Sequence, residues 1–378
     1  MKKTLKVILP AGFKANGVAS GLKKSGKLDL ALIYSEFPAL ASAKFTTNSI
    51  IAAPLIVCKK HLKSAKKFQA VLINSGNANC FTGESGIRDA QATAGYVACQ
   101  LKIARNSVLV NSTGIIGKKL DVAKIKKAIP GLVRGLSGVG IHKAGKAIMT
   151  TDTFVKEAAV RLKLGAKVVR ICGIAKGAGM IAPHMATMLC FIMTDANIAK
   201  RALSRALSEA VENSFNCITV DGCMSTNDTV LVLANAAAGN KTISGGKDLQ
   251  IFSNALKSIC LDLAKMVVRD AEGATKFIQI DVNQAKDLRE AKKVALNIAN
   301  SVLFKTAVFG GNPNFGRVAA AVGASGIKIS EEQLKIKLGS LKGRQVKLAV
   351  SLSRGKAKVT VYTSDLTPEY VKINANYN

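Results

Sequence analysis

The residues best suited to chemistry lie in one stretch near the middle of the chain, from Lys176 to Met193. Its first part is rich in glycine and carries one cation, and its last part has the apolar character of a strand. Thr187 stands where the two parts join. Cleavage of the chain just before Thr187 would give this residue a free α-amino group, which can act as the base for its own hydroxyl. The stretch therefore has two interpretations, a self-cleaving nucleophile or a glycine loop that enters a buried strand.

Two predicted strand ends offer further polar groups. The run from Val71 ends in Asn-Ser-Gly-Asn-Ala-Asn79. These polar residues could belong to a functional site, or they could be ordinary turn residues. The strand from Ser107 leads into Thr113 and Gly114. A glycine N–H beside a hydroxyl is a suitable pair of donors for an oxyanion, although many strands end in Thr-Gly.

The elements that must position these residues alternate irregularly along the chain. We predict a helix over 121–128 that ends at Pro130, a strand over 217–220, and an edge hairpin made of strands 345–351 and 358–362. Residues 140–146 fit GxxxxGK, but Ala147 stands where a Mg²⁺-binding hydroxyl is required, so we interpret this match as false. The pattern favours a mixed α/β fold with α+β layers, and a length of 378 residues indicates two lobes.

Bulk composition excludes several classes of protein. No apolar run is long enough for a membrane helix, and the apolar run that follows the first residues is too short for a signal peptide, so we expect a cytoplasmic protein. The eight cysteines are scattered and the three histidines have no ligand spacing, which predicts no metal site. A net charge of +32 could serve nucleic-acid binding, but the lysines are spread out and no nucleic-acid-reading motif is present.

The segment Lys-Gly-Ala-Gly-Met-Ile-Ala-Pro-His-Met-Ala-Thr-Met-Leu, residues 176–189, resembles the self-cleavage region of the ornithine acetyltransferase (glutamate N-acetyltransferase) family of arginine biosynthesis. Other similar segments are spread from one end of the chain to the other, at 10–21, 73–86, 111–117, 150–153, 269–277, 311–317 and 364–377. The resemblance implies the fold of that family and cleavage between Ala186 and Thr187. The two products would be an N-terminal (alpha) chain of residues 1–186 and a C-terminal (beta) chain of residues 187–378, assembled as a heterotetramer of two alpha and two beta chains.

The resemblance also implies an activity and its residues. Thr187 would attack the acetyl group of N2-acetylornithine and pass it to glutamate in a ping-pong exchange that needs no cofactor, with acetyl-CoA as an alternative donor in some family members. Thr113 and Gly114 would form the oxyanion hole. The residues expected to contact substrate are Thr153, Lys176, Thr187, Glu272 and Asn374. Charge pairing suits these roles, because Lys176 can bind an α-carboxylate and Glu272 an ammonium group.

Some positions depart from the family pattern, and two other functions stay open. His184 stands where Asn is common, and the sequence stops at Asn378, where relatives carry a terminal Ser or Thr that touches substrate. One alternative is a self-cleaving amidohydrolase or aminopeptidase with an N-terminal nucleophile, which would pass its acyl group to water. The other is a basic nucleic-acid-binding protein.

Overall fold

A computed structural model of the protein describes residues 2–3, 7–182 and 188–376. The chain divides into two compact units. Unit 1 comprises the described residues of 1–177, 187–213 and 225–263, and unit 2 comprises those of 178–186, 214–224 and 264–378. The predicted division into chains 1–186 and 187–378 concerns cleavage and stays a prediction.

Unit 1 is built on a mixed β-sheet. In its described part the strands are β1 Lys2–Lys3, β2 Phe13–Val18, β3 Leu30–Phe45, β4 Phe68–Asn77, β5 Val108–Ile115, β6 Lys156–Leu164, β7 Lys167–Lys176, β8 Leu189–Thr194 and β9 Thr229–Ala234. They are ordered β1-β6-β7-β8-β9-β3-β4-β5, and β2 also pairs with β3. The pairs β4–β5 and β8–β9 are parallel, whereas β6–β7, β7–β8 and β3–β9 are antiparallel. The central strands β8 and β9 are buried along their whole length and are apolar apart from one terminal threonine each, as expected of strands covered on both faces.

Helices pack on this sheet through their apolar faces. They are α1 Ala53–Ser64, α2 Gly83–Leu101, α3 Val122–Arg134, α4 Ile141–Ile148 and α5 Lys200–Glu212. Helix α3 is capped by Asp121, whose carboxylate accepts a hydrogen bond from Lys124 N, and the helix buries Ile125, Ile129 and Leu132. A further helix, α6 Gly246–Arg269, contributes residues 246–263 to unit 1 and residues 264–269 to unit 2.

Unit 2 has a smaller sheet with its own core. Its strands are β10 Phe277–Ala285, β11 Lys335–Leu338, β12 Gln345–Ser351 and β13 Ala357–Ser364, and its helices are α7 Leu288–Ala299, α8 Val302–Phe309, α9 Phe315–Gly323 and α10 Pro368–Ala375. The strand order is β11-β12-β10-β13. The alternating inward residues Ile278, Ile280 and Val282 are fully buried in an apolar cluster with residues of α7 and β12.

The predicted mixed α/β fold is confirmed. The interpretation of residues 140–146 as a false phosphate-loop match is also confirmed, because residues 141–146 lie within helix α4. Three local predictions were wrong. Pro130 does not end helix α3 but lies inside it, since the burial of Leu132 in the next turn favours continuation of the helix. Residues 345–351 and 357–364 do not pair with each other; each pairs with β10, one in parallel and one antiparallel. Residues 217–220 form no strand, and only Ile218 makes an isolated bridge.

No helix among the described residues is both long enough and apolar enough to cross a membrane.

Candidate active site

Thr113 and Gly114 lie at the end of β5, where it pairs in parallel with β4. Thr113 is 5% exposed and stands beside Ser75, and Gly114 stands beside Gly76. Gly114 has φ = 132°, and a Cβ there would come 2.4 Å from the carbonyl carbon of Gly76. Only glycine fits at this close approach of two strands, which explains the Thr-Gly pair that the sequence singled out.

The asparagines of the neighbouring strand end have structural roles. Asn74 Nδ2 donates to Asn77 O at 2.9 Å, and Asn74 Oδ1 accepts from Ser112 Oγ at 2.6 Å. Asn77 Nδ2 donates to the carbonyls of Lys118 and Lys119 at 3.1 and 3.0 Å. These side chains are buried and satisfy backbone and neighbouring polar groups, so they fix the loop that supports Thr113.

Lys176 meets Thr113 in unit 1. Lys176 is the last residue of β7 and is 3% exposed, and its Nζ donates to Thr113 Oγ1 at 3.1 Å. Because that oxygen accepts from an ammonium group, the hydroxyl proton of Thr113 points away from Lys176 and can be donated to another acceptor. In the pairing of β7 with β8, Lys176 is in register with Leu189, two residues beyond Thr187. The structure thus brings two of the predicted site residues together next to the end of the predicted cleavage segment.

Asp152 is a buried carboxylate that the sequence analysis did not single out. Its Oδ1 accepts from Lys156 Nζ at 2.6 Å and from Gly177 N at 2.7 Å, and its Oδ2 accepts from Thr150 N at 2.9 Å. The side chains of Asp152 and Lys156 are both 0% exposed. Asp152 therefore fixes the backbone immediately after Lys176 and supplies a negative charge beside two buried lysines.

The electrostatics of Asp152 follow from this arrangement. Burial by itself would raise the pKa of the Asp152 carboxyl, but the charges of Lys176 and Lys156 and the Gly177 N–H outweigh it and lower the pKa from 3.8 to about 2. The carboxylate stays ionised at neutral pH. The nearby Lys23 has its pKa lowered to about 8, chiefly by burial, and its Nζ donates to Leu28 O and Met149 O at 2.9 and 2.7 Å.

The segment that follows the predicted cleavage site is anchored in unit 1 by Asp228. This residue is 1% exposed, and its Oδ1 accepts from Met188 N at 3.0 Å. Met188 O in turn accepts from Thr229 N at 3.1 Å. Burial raises the pKa of the Asp228 carboxyl well above its usual value, although the Met188 N–H and the charge of Lys176 act in the opposite direction.

The segment that precedes the predicted cleavage site is anchored in unit 2 by Asp221. Its carboxylate accepts from Met180 N at 2.7 Å and from Ile181 N at 2.9 Å. Ile181 O accepts from Val220 N at 2.9 Å and from Thr219 Oγ1 at 3.0 Å. Met180 has φ = 56°, a left-handed conformation that a side chain of this size rarely adopts. Such residues cost on the order of 1–3 kcal/mol and occur only where the surrounding contacts enforce them.

Glu272 and Asn374 meet each other in unit 2. Asn374 Nδ2 donates to Glu272 Oε2 at 2.8 Å and to Tyr370 O at 3.0 Å. Glu272 N donates to Ala178 O at 3.0 Å, and a Cβ on Gly179 would lie 2.1 Å from Glu272 Oε2. The second glycine of the Lys-Gly-Ala-Gly motif is therefore required by the close approach of this carboxylate.

The remaining predicted residues are Thr153, Ala186 and Thr187. Thr153 directly follows Asp152 and is exposed. Thr187 and Ala186 lie outside the described residues. Sequence reasoning missed Asp152, Asp221 and Asp228. Two features of the sequence could have indicated them. Acidic residues are scarce, with 23 against 55 basic ones, and each of the three aspartates stands next to a predicted strand end or site segment.

A buried ammonium group in contact with a strand-end hydroxyl can stabilise negative charge that develops in a reaction. A family model described as the ArgJ family matches residues 14–378. The arginine biosynthesis bifunctional protein ArgJ of Geobacter sulfurreducens is 43% identical, over 97% of this chain and 98% of its own. The glutamate N-acetyltransferase of Methanocaldococcus jannaschii is 44% identical, over 98% of both chains.

The chain belongs to the ArgJ family. The resemblance stated from the sequence is confirmed, and with it the class, an acyltransferase of arginine biosynthesis. A solved structure of the bifunctional protein ArgJ from Bacillus halodurans is 34% identical, covers 50% of this chain and 97% of its own, and has a TM-score of 0.46.

Proposed function

We propose that this protein transfers the acetyl group of N2-acetylornithine to glutamate through an acetyl-Thr187 intermediate. The observation that supports this most is the 3.1 Å contact between Lys176 Nζ and Thr113 Oγ1 at the end of β5. It orients the Thr113 hydroxyl as a donor, as an oxyanion hole requires. The names of the two relatives above, one a bifunctional ArgJ and one a glutamate N-acetyltransferase, support the substrates.

The proposed chemistry begins with self-cleavage. Thr187 Oγ attacks the Ala186 carbonyl carbon, the peptide C–N bond breaks, and the hydroxyl proton passes to the released α-amine. Water then hydrolyses the resulting ester, which leaves chains 1–186 and 187–378. The anchoring of Met180 and Ile181 by Asp221, and of Met188 by Asp228, supports this step because both flanks of the cut segment are held by backbone hydrogen bonds.

Acetyl transfer uses the same groups. The free α-amine of Thr187 takes the proton from its hydroxyl, which attacks the acetyl carbonyl of N2-acetylornithine. Thr113 and Gly114 donate to the oxyanion, and collapse releases ornithine. The amine of glutamate then attacks the acetyl ester and regenerates the hydroxyl. No cofactor takes part, and acetyl-CoA is proposed as an alternative donor.

Location and assembly are part of the same proposal. None of the eight cysteines, all of which lie in the described part of the chain, forms a disulfide, which suits a reducing compartment such as the cytoplasm. A heterotetramer of two alpha and two beta chains is proposed from the resemblance alone. Sedimentation of the purified protein, compared with its mass under denaturing conditions, tests it.

The function is tested by two measurements on the purified wild-type protein. Intact mass spectrometry should give two fragments that divide at Ala186–Thr187 in place of one chain of 39.6 kDa. Incubation with N2-acetylornithine and glutamate should produce N-acetylglutamate and ornithine in equal amounts. Release of free acetate without N-acetylglutamate would contradict the proposal and identify a hydrolase with an N-terminal nucleophile.

Glu272 is proposed to bind the substrate ammonium group, with Asn374 holding the carboxylate in place. We expect Glu272→Gln to raise KM for N2-acetylornithine by about tenfold or more, because a hydrogen bond to a charged group contributes on the order of 1.5–3 kcal/mol. Cleavage at Thr187 should proceed normally in this variant. Glu369→Gln is the matched control, since Glu369 lies nearby on α10 but faces Lys372. A KM unchanged by Glu272→Gln would contradict the assignment.

A further inference from the structure

A cavity of about 390 Å³ opens in unit 2, on the loop that continues from Glu272. Its lining residues are Arg269, Ala274, Thr275, Lys276, Phe277, Arg344 and Gln345. The volume lies in the range of small-molecule sites, about 300–1,000 Å³. Neither the predicted site residues nor the acetyl-transfer chemistry accounts for this cavity.

The charged residues that line the cavity are all basic. Three of its seven lining residues are basic and none is acidic. Basic residues make up 55 of 378 in the chain, so seven residues chosen at random would include about one. A second hollow, in unit 1, shows the contrast, because its lining includes both Arg205 and Glu209 and their charges offset each other.

The charged groups of Arg269 and Lys276, and the backbone of Arg344, are held in place before any ligand binds. The Arg269 guanidinium lies over the Phe277 ring, 5.2 Å from its centroid. Lys276 Nζ donates to Leu341 O and Gly343 O at 2.6 and 3.2 Å. Arg344 O accepts from Phe277 N at 2.8 Å, which fixes the backbone of Arg344 at the start of β12. Preorganisation of this kind lowers the entropy lost on binding.

One carboxylate, that of Asp365, lies behind the loop and is not among the residues that line the cavity. Asp365 is buried behind the loop, where its oxygens accept from Thr275 N and Lys276 N at 2.9 Å and from Thr275 Oγ1 at 2.5 Å. These hydrogen bonds hold the loop in shape and turn the carboxylate towards the backbone. Two guanidinium groups and one ammonium group are left on the wall, a donor set that matches the oxygens and the double charge of a phosphate group.

We propose that this cavity binds the phosphate of a phosphate-bearing ligand. Because its wall is the loop 274–277 that continues from Glu272, the ligand we assign to it is acetyl-CoA, the phosphate-bearing donor of the proposed function. That assignment rests on the proposed function. The phosphate site itself rests only on the cavity and its charges.

Binding is measured first, by titration calorimetry of the full-length protein at physiological salt with inorganic phosphate, ADP and acetyl-CoA as separate probes. We expect Arg344→Gln and Arg269→Gln each to weaken binding of ADP and acetyl-CoA by about tenfold or more. Arg205→Gln removes an equal charge from the other hollow and should change binding by less than about twofold. No binding of any probe to the wild type, or equal loss in Arg205→Gln, would overturn the site.

Kinetics then separate the sources of phosphate. Arg344→Gln should raise KM for acetyl-CoA about tenfold and leave the exchange between N2-acetylornithine and glutamate within about twofold. If ADP binds through Arg344 but acetyl-CoA turnover is absent or unaffected, the site takes a different phosphate-bearing ligand and the acetyl-CoA assignment is overturned. Loss of the acetylornithine exchange in the wild type would refute the proposed function and leave the binding result standing.

Discussion

Replacing Thr187 with alanine is expected to abolish both self-cleavage and acetyl transfer. The alanine variant has no hydroxyl to attack the Ala186 carbonyl, so the chain should stay whole at 39.6 kDa. Without cleavage there is also no free α-amine to act as a base, so the variant lacks both the nucleophile and the base of the transfer reaction. We expect the transfer rate to fall by on the order of 10⁴-fold or more, as happens when a covalent nucleophile is removed. Intact mass and the N-acetylglutamate assay measure the two effects.

Thr187→Ser is the matched variant for this prediction. Serine keeps a hydroxyl at the same atom and gains a free α-amine after cleavage, so both activities should persist at a reduced rate. A cut protein with the alanine substitution would show that another group opens the chain. Wild-type transfer in an uncut Thr187→Ala protein would show that Thr187 is not the nucleophile.

Local chemistry explains why part of this site could be predicted. The Thr113–Gly114 pair and Lys176 each stand at the end of a strand whose apolar pattern is visible in the sequence. The residues that hold them were not predicted. Asp152 contacts Gly177 from 25 positions away, and Asp228 contacts Met188 from 40 positions away. The apolar periodicity of the sequence does not indicate such a contact, because the contact depends on which strands become neighbours.

The fold shows the same division between local and long-range information. The alternating apolar runs 159–164 and 167–174, with a glycine turn between them, indicate a hairpin from sequence alone, and the hairpin β6–β7 is present. The strands β12 and β13 have equally clear patterns, but β10, which comes earlier in the chain, lies between them. Sequence alternation identifies a strand but carries little information about its partner.

The second large effect is expected at Asp152, in the variant Asp152→Asn. The substitution keeps the shape of the side chain but removes the negative charge beside the buried Lys156 and Lys176. Breaking a buried ion pair by removing one partner costs on the order of 3–5 kcal/mol. We expect a loss of unfolding free energy of this size in urea at pH 7. We also expect kcat to fall more than KM rises, because Gly177 and Lys176 lose the group that positions them.

The pH dependence of stability distinguishes this charge effect from simple misfit. The folded-state pKa of Asp152 is about 2, below its ordinary value of 3.8, so the carboxylate contributes stability above pH 4 that is lost as the pH falls towards 2. Asp152→Asn should remove that acid-dependent part. Asp121→Asn is the matched control, since Asp121 is exposed at the start of helix α3, where asparagine caps a helix about as well as aspartate. Its substitution should cost little stability at pH 7.

A double variant separates positioning from folding. In Asp152→Asn/Lys156→Met both partners of the buried pair are gone, so the uncompensated charge of Lys156 is removed and much of the stability should return. The transfer rate should stay low, because Gly177 N has still lost its carboxylate acceptor. Recovery of wild-type kcat together with stability in the double variant would show that Asp152 serves only the fold. A single Asp152→Asn variant as stable and as fast as the wild type would exclude both roles of Asp152.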